Sequence, residues 1–148
     1  MNITMDQIKE LREETGAGIM DVRKALTESE GDTKKAKEWL EKKGMKRAAE
    51  KAERSTEAGY VFSYVHFNGK VGSLVKLACE TDFVAKTEDF QNLGKEIAMQ
   101  VASMKPENVD ELLKQDYLKD TSKTIETLLK NVSGKTGENI RVVSIACL

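Results

Sequence analysis

The sequence predicts an α+β chain, with helices first and then a small three-stranded, mainly antiparallel sheet carrying helices on one face. Apolar residues recur every three or four positions up to about residue 43. Between Tyr60 and Cys79 the pattern shifts toward alternation around an Asn68-Gly69 pair. The helical period then returns, and the chain closes on a β-branched run from Ile140 to Ile145.

The first helix places Met5, Ile8 and Leu11 on one face, with Thr4 or Asp6 as its N-cap. Gly16-Ala17-Gly18 ends it, because glycine enters the left-handed conformation at little cost. A second helix carries Ile19, Val22, Ala25 and Leu26, and Gly31-Asp32 breaks it. Asp32 or Thr33 caps a third, with Ala36, Trp39 and Leu40 as its buried stripe and Gly44 as its end. Residues 45–56 are alanine-rich and charged with little apolar face, as in an exposed helical linker. The expected organisation is a three-helix module over 1–44, a linker over 45–56 and an α+β domain over 57–148.

In that domain Asn68-Gly69 predicts a two-residue type I′ hairpin turn, which needs positive φ at both positions. Val71, Ser73, Val75, Leu77 and Cys79 share one face of the returning strand, with Leu74 opposite. The first strand carries Val61, Val65 and Phe67 on one side and Tyr60, Phe62 and Tyr64 on the other. One layer of helices covers one side only, so the other is expected to pack against a second copy of the chain. Phe90, Leu93, Ile97, Val101 and Met104 mark a long helix before Pro106. Val109 to Leu113 make a short one. Asp120 or Ser122 caps the last, which bears Ile125, Leu128, Leu129 and Val132 and ends at Gly134 and Gly137.

Composition narrows the function. The 148 residues are 39% hydrophobic, enough for a thin core that a partner surface would supplement. With 24 basic and 25 acidic groups the net charge is -1, which argues against a dedicated nucleic-acid binder. Lys42, Lys43, Lys46, Arg47, Lys51 and Arg54 make the linker locally basic, and such runs are usually a solvated face. No stretch approaches the roughly 20 apolar residues that span a bilayer. Met1 to Asp6 lack the basic start and apolar run of a signal peptide. Cys79 and Cys147 do not make a disulfide scaffold, so the expected compartment is the cytoplasm or an organelle matrix. The single histidine, His66, has no partner for acid–base work, and neither zinc-ligand spacing nor a phosphate-binding glycine loop occurs. No catalytic residue, metal, cofactor or direct nucleotide binding is therefore expected.

Two segments carry more information. One runs Leu11-Arg12-Glu13-Glu14-Thr15-Gly16-Ala17-Gly18-Ile19-Met20-Asp21-Val22-Arg23-Lys24-Ala25-Leu26, and the other Glu80-Thr81-Asp82-Phe83-Val84-Ala85-Lys86. With Gly137-Glu138-Asn139-Ile140-Arg141 near the end, they resemble elongation factor Ts over essentially the whole chain. The resemblance implies that the N-terminal module is like a ubiquitin-associated domain and docks on the GTPase domain of elongation factor Tu. It implies that Thr81, Asp82, Phe83 and Val84 form a turn facing the partner's nucleotide domain. Phe83 would wedge between two partner helices, disturb the phosphate and magnesium site, and release GDP so that GTP can rebind.

Ile19, Met20, Arg23 and Lys24 fall in the matching signature and carry over as contacts of the module. Arg23 stands where lysine is the commoner family choice, which keeps the charge and changes the hydrogen-bond geometry. Longer members continue with a second, related half of the core, and short ones restore the sandwich by dimerising, which fits the uncovered sheet face. For Cys147 a free thiol is expected rather than an inter-chain disulfide. From the residues alone, Phe83 is either an interface anchor or a lid on the core, and Asp82 either its acidic neighbour or a helix N-cap. Ile19 and Met20 are core or contact surface. The competing function is a protein-binding adaptor without exchange activity, which would explain the helical module but not the Thr81–Val84 turn.

Overall fold

A computed structural model describes residues 3–148; Met1 and Asn2, the start of the segment read as lacking a signal peptide, lie outside it. Thr4 opens helix α1 (Met5–Thr15) through a reciprocal pair of bonds. Its hydroxyl accepts from the Gln7 N–H, and the Gln7 side chain accepts from the Thr4 N–H. Gly16 closes α1 at φ +66°. Helix α2 (Ile19–Glu28) starts on Gly18 without a side-chain cap. Asp32 starts α3 (Thr33–Glu50) by accepting from the Lys34 and Lys35 N–H groups. Ile8, Leu11, Val22, Ala25, Leu26, Ala36 and Leu40 form the core of this module, with Trp39 partly buried against it. Asp21 ties α2 to α3 through Lys43 at 2.6 Å and Arg47 at 2.9 Å. The Lys43 hydrogen bond foremost, with Arg47, holds its carboxyl below the ordinary value although burial opposes this.

Gly44 does not end α3, which runs on to Glu50. The residues after it, Met45 to Glu50, are good helix formers, and one interior glycine costs only about 1 kcal/mol. The chain then turns and enters β1 (Ala58–Val65), which pairs antiparallel with β2 (Gly72–Cys79). The register is centred on Asn68-Gly69, since Val65 pairs with Gly72. The loop is wider than a type I′ turn, however. Gly69 donates to the His66 carbonyl at 2.8 Å, and the Asn68 side chain accepts from the Lys70 N–H. Gly69 has φ +69°, while Asn68 stays out of the positive region, so the hairpin closes with a helical-type turn and one left-handed glycine.

Helix α4 (Asp82–Ala85) follows β2 directly, then α5 (Glu88–Met104) and α6 (Val109–Lys114). A small hairpin, β3 (Asp116–Tyr117) with β4 (Asp120–Thr124), comes next. Asp120 and Ser122 therefore do not cap a helix; they bond to each other inside β4, and Thr124 caps α7 (Ile125–Thr136). The hairpin is held from α5. Buried Gln100 donates to the Asp116 carbonyl and accepts from the Leu118 N–H. Glu96 accepts from the Tyr117 hydroxyl at 2.6 Å and pairs with Lys119 at 2.8 Å. Burial, and then Glu96, push the Tyr117 hydroxyl well above its ordinary value. Gly134 lies within α7, and Gly137 ends it at φ +77°. Strand β5 (Arg141–Cys147) closes the sheet in the order β1-β2-β5, all antiparallel.

Ser73, Val75, Leu77 and Cys79 face the helices and are buried, while Leu74 points outward. Phe62 enters the same core against Phe90, and only a glycine at position 94 leaves room for its ring. Val61, Val65 and Leu74 lie on the opposite side of the sheet, each more than half exposed. Residues 45–50 are helical as the last turns of α3; Lys46, Arg47, Ala49 and Glu50 are exposed, whereas Ala48 is buried and α3 packs along α7. The turn after α3 is strapped down as well, since the Asn139 amide donates to the carbonyls of Ala52 and Arg54. No helix among the described residues is long and apolar enough to cross a membrane.

Candidate functional site

Strand β2 delivers the chain to Thr81, whose side chain accepts from the Val84 N–H and caps α4. Asp82 is thereby the first residue of the helix and not its cap. The single turn that follows sorts its side chains sharply. Phe83 is 81% exposed, whereas Val84 and Ala85 are each 4% exposed and belong to the main core. Phe83 thus stands out from the core instead of covering its end, and Asp82 is exposed beside it.

A carboxylate from a distant loop fixes this turn. Glu138 accepts from the N–H groups of Glu80 (3.0 Å) and Thr81 (2.9 Å) with one oxygen, and from the Thr81 hydroxyl (2.7 Å) with the other. Glu80 reaches back to accept from the Asn139 N–H at 3.0 Å and lies 3.7 Å from Arg54. Two carboxylates therefore cross between the end of β2 and the entry to β5. Bonds of this charge-assisted kind are about twice as strong as neutral ones. Antiparallel pairing makes the arrangement feasible, because it sets the start of β5 beside the end of β2. The sequence marks Glu138 only as part of the third matching segment. Its acidic character after a helix-ending glycine, at the entry to a strand pairing with β2, was the available signal. Next to the turn, burial and then the Glu138 charge push the Cys79 thiol above its ordinary value, leaving it an inert core thiol.

A second surface forms on α2. Ile19 and Met20 are 50% and 73% exposed and do not enter the module's core. Arg23 and Lys24, one turn further on, are also exposed. Positions 19 and 23, and 20 and 24, are each four apart, so the four make one stripe, apolar toward the N-terminus and cationic after it. His66 takes part in neither surface: it sits by the β1–β2 loop, bonded to the Tyr64 hydroxyl at 2.9 Å, with its ring tilted against that of Phe67. Each of the two surfaces sets an exposed aromatic or aliphatic side chain beside charged neighbours.

The family profile "Elongation factor TS" matches residues 80–148, which include the whole turn and its Glu138 clamp. Proteins named elongation factor Ts match over more of the chain. That of Thermotoga neapolitana is 42% identical over 185 aligned positions, covering 96% of this chain and 94% of the relative. Those positions outnumber the 148 residues here, so the relative carries stretches that this chain lacks. That of Fervidobacterium nodosum is 48% identical over 147 positions, covering 91% of this chain and 75% of the relative. That of Oleidesulfovibrio alaskensis is 54% identical over 109 positions, covering 74% and 55%. On that evidence the chain belongs to the elongation factor Ts family of translation elongation factors.

Proposed function

We propose that the chain binds elongation factor Tu and accelerates release of its GDP, so that GTP can rebind. The observation that carries this reading is Phe83, projected into solvent on a turn that Thr81, Val84 and Glu138 hold rigid. A ring held outward by the fold beside an acidic side chain is the form that interface anchors take. Asp82 and Phe83 make the contact, with Phe83 entering between two helices of the partner. Thr81 caps the turn and Val84 roots it. The displaced helices disturb the phosphate and magnesium site. Ile19, Met20, Arg23 and Lys24 supply a second contact on the GTPase domain.

Exchange of this kind needs no acid, base or metal from the chain, and no nucleotide binding by it. It needs a coupling between ligands: whatever factor the chain takes from GDP affinity, GDP takes from the chain. The outer sheet face, with Val61, Val65 and Leu74 bare, is covered by the same face of a second copy, making a homodimer. The compartment is the one where translation runs, the cytoplasm or an organelle matrix.

The test is release of fluorescent GDP from elongation factor Tu, chased with excess unlabelled GDP. The parent chain is expected to accelerate release at least about tenfold, and Phe83→Ala to lose most of that, as a hot-spot truncation does. Binding without acceleration would replace this reading with the adaptor.

A further inference from the structure

The two proposed contact surfaces lie on different parts of the chain, and the C-terminal end of α7 touches the supports of both. On one side Ser133 donates to the Glu138 carbonyl, and Glu138 clamps the Phe83 turn. On the other side Gly134 lies against Gly44 of α3, and Lys135 lies against Gly16, just before α2. We propose that the Gly44–Gly134 contact is a positioning device that holds the three-helix module and the core as one rigid body, presetting the separation between the Ile19–Met20 stripe and Phe83. The proposal rests on the exchange reading above.

The geometry at the two glycines is unequal. A Cβ on Gly134 would fall 2.9 Å from the Gly44 Cα and 3.1 Å from its carbonyl oxygen, both backbone atoms that cannot swing away. A Cβ on Gly44 would meet nothing within 4 Å. Gly134 is therefore required by the contact, in a helix interior where glycine is otherwise unfavourable. Beside this seam the module and α7 are parted by a groove of about 530 Å³, lined by Glu14, Gly18, Lys37, Lys123 and Lys135 among others. The attachment runs along the α3–α7 contact, where the two glycines make the closest backbone approach, and continues in the Asn139 strap on residues 52–54. A two-point binder with fixed spacing makes its second contact at high effective concentration, and a loosened one loses affinity while its wedge still works once seated.

The experiment compares full-length parent, Gly134→Leu and Gly44→Ala by backbone nitrogen relaxation and by GDP release over a range of factor concentrations. In the parent and Gly44→Ala, module and core should share one rotational correlation time and one half-saturating concentration. In Gly134→Leu the module should tumble faster. The half-saturating concentration should rise about tenfold or more, with the saturating release rate within about twofold of the parent. Gly134→Ala serves the same comparison if Gly134→Leu does not fold. Separate correlation times in the parent overturn the proposal, as does an unchanged half-saturating concentration or a loss confined to the saturating rate. If the parent fails to accelerate release at all, the exchange reading falls, and the relaxation comparison alone decides whether module and core are one body.

Discussion

Phe83 and Val84 are neighbours in sequence, yet one is the most exposed apolar side chain of its turn and the other is core. Their truncations should therefore separate function from stability. Phe83→Ala should change the unfolding free energy by no more than about 0.5 kcal/mol while removing most of the exchange activity. Val84→Ala should cost about 2 kcal/mol through lost burial and the cavity it leaves. Urea denaturation of both variants checks this, and a large stability loss in Phe83→Ala would place its ring in the core. The sequence alone leaves the choice between the two open, because a single helical turn has no period to read. It is settled by where α4 begins, and that depends on the Thr81 cap and on Glu138, 57 residues away. Met20 and Ile19 were equally ambiguous, since an apolar pair at a helix start serves a core or a partner with the same composition.

At the scale of elements, the strongly periodic segments α1, α2 and α5 and the shared face of β2 follow from spacing, although Met5 and Met104 at the ends of their stripes are exposed; β1 carries large side chains on both faces, so spacing did not say which one is buried. What escaped was set by distant partners. Gly44 reads as a helix end locally, but α7 accepts it as a contact surface. The β3–β4 hairpin has a polar sequence with no alternation, and it is defined by Gln100 and Glu96 reaching from α5. The α2–α3 pairing has a charge component that pH will reveal. The Asp21 carboxyl titrates below its unfolded-state value, chiefly through Lys43. Its contribution to stability is thus complete above about pH 4 and is lost as pH falls through the folded-state value. Asp21→Asn should be less stable than the parent at pH 6, with the gap closing toward pH 3, as read from urea midpoints. A gap that stayed constant with pH would mean the ion pairs contribute nothing.

For the whole molecule, the α+β class and the antiparallel sheet with helices on one face were legible, because they follow from the order of periods along the chain. The attachment of the module to the core was not, since it runs along the α3–α7 contact, whose closest approach is at two glycines that read locally as helix termini. The bare sheet face carries its own prediction. The parent should show a light-scattering mass near two chains, and Leu74→Glu, which sets a charge in the middle of that face, should reduce it to one without unfolding the protein.

Exchange rests on a coupling between this chain and GDP, which equilibrium binding measures without kinetic assumptions. The affinity of the chain for nucleotide-free and for GDP-bound elongation factor Tu should be measured side by side, for the parent and for Phe83→Ala. The parent should bind the nucleotide-free form at least about tenfold more tightly, and that ratio should fall toward one in the variant. Equal affinity of the parent for both forms would contradict it, because a ligand that does not distinguish the two states cannot drive GDP out.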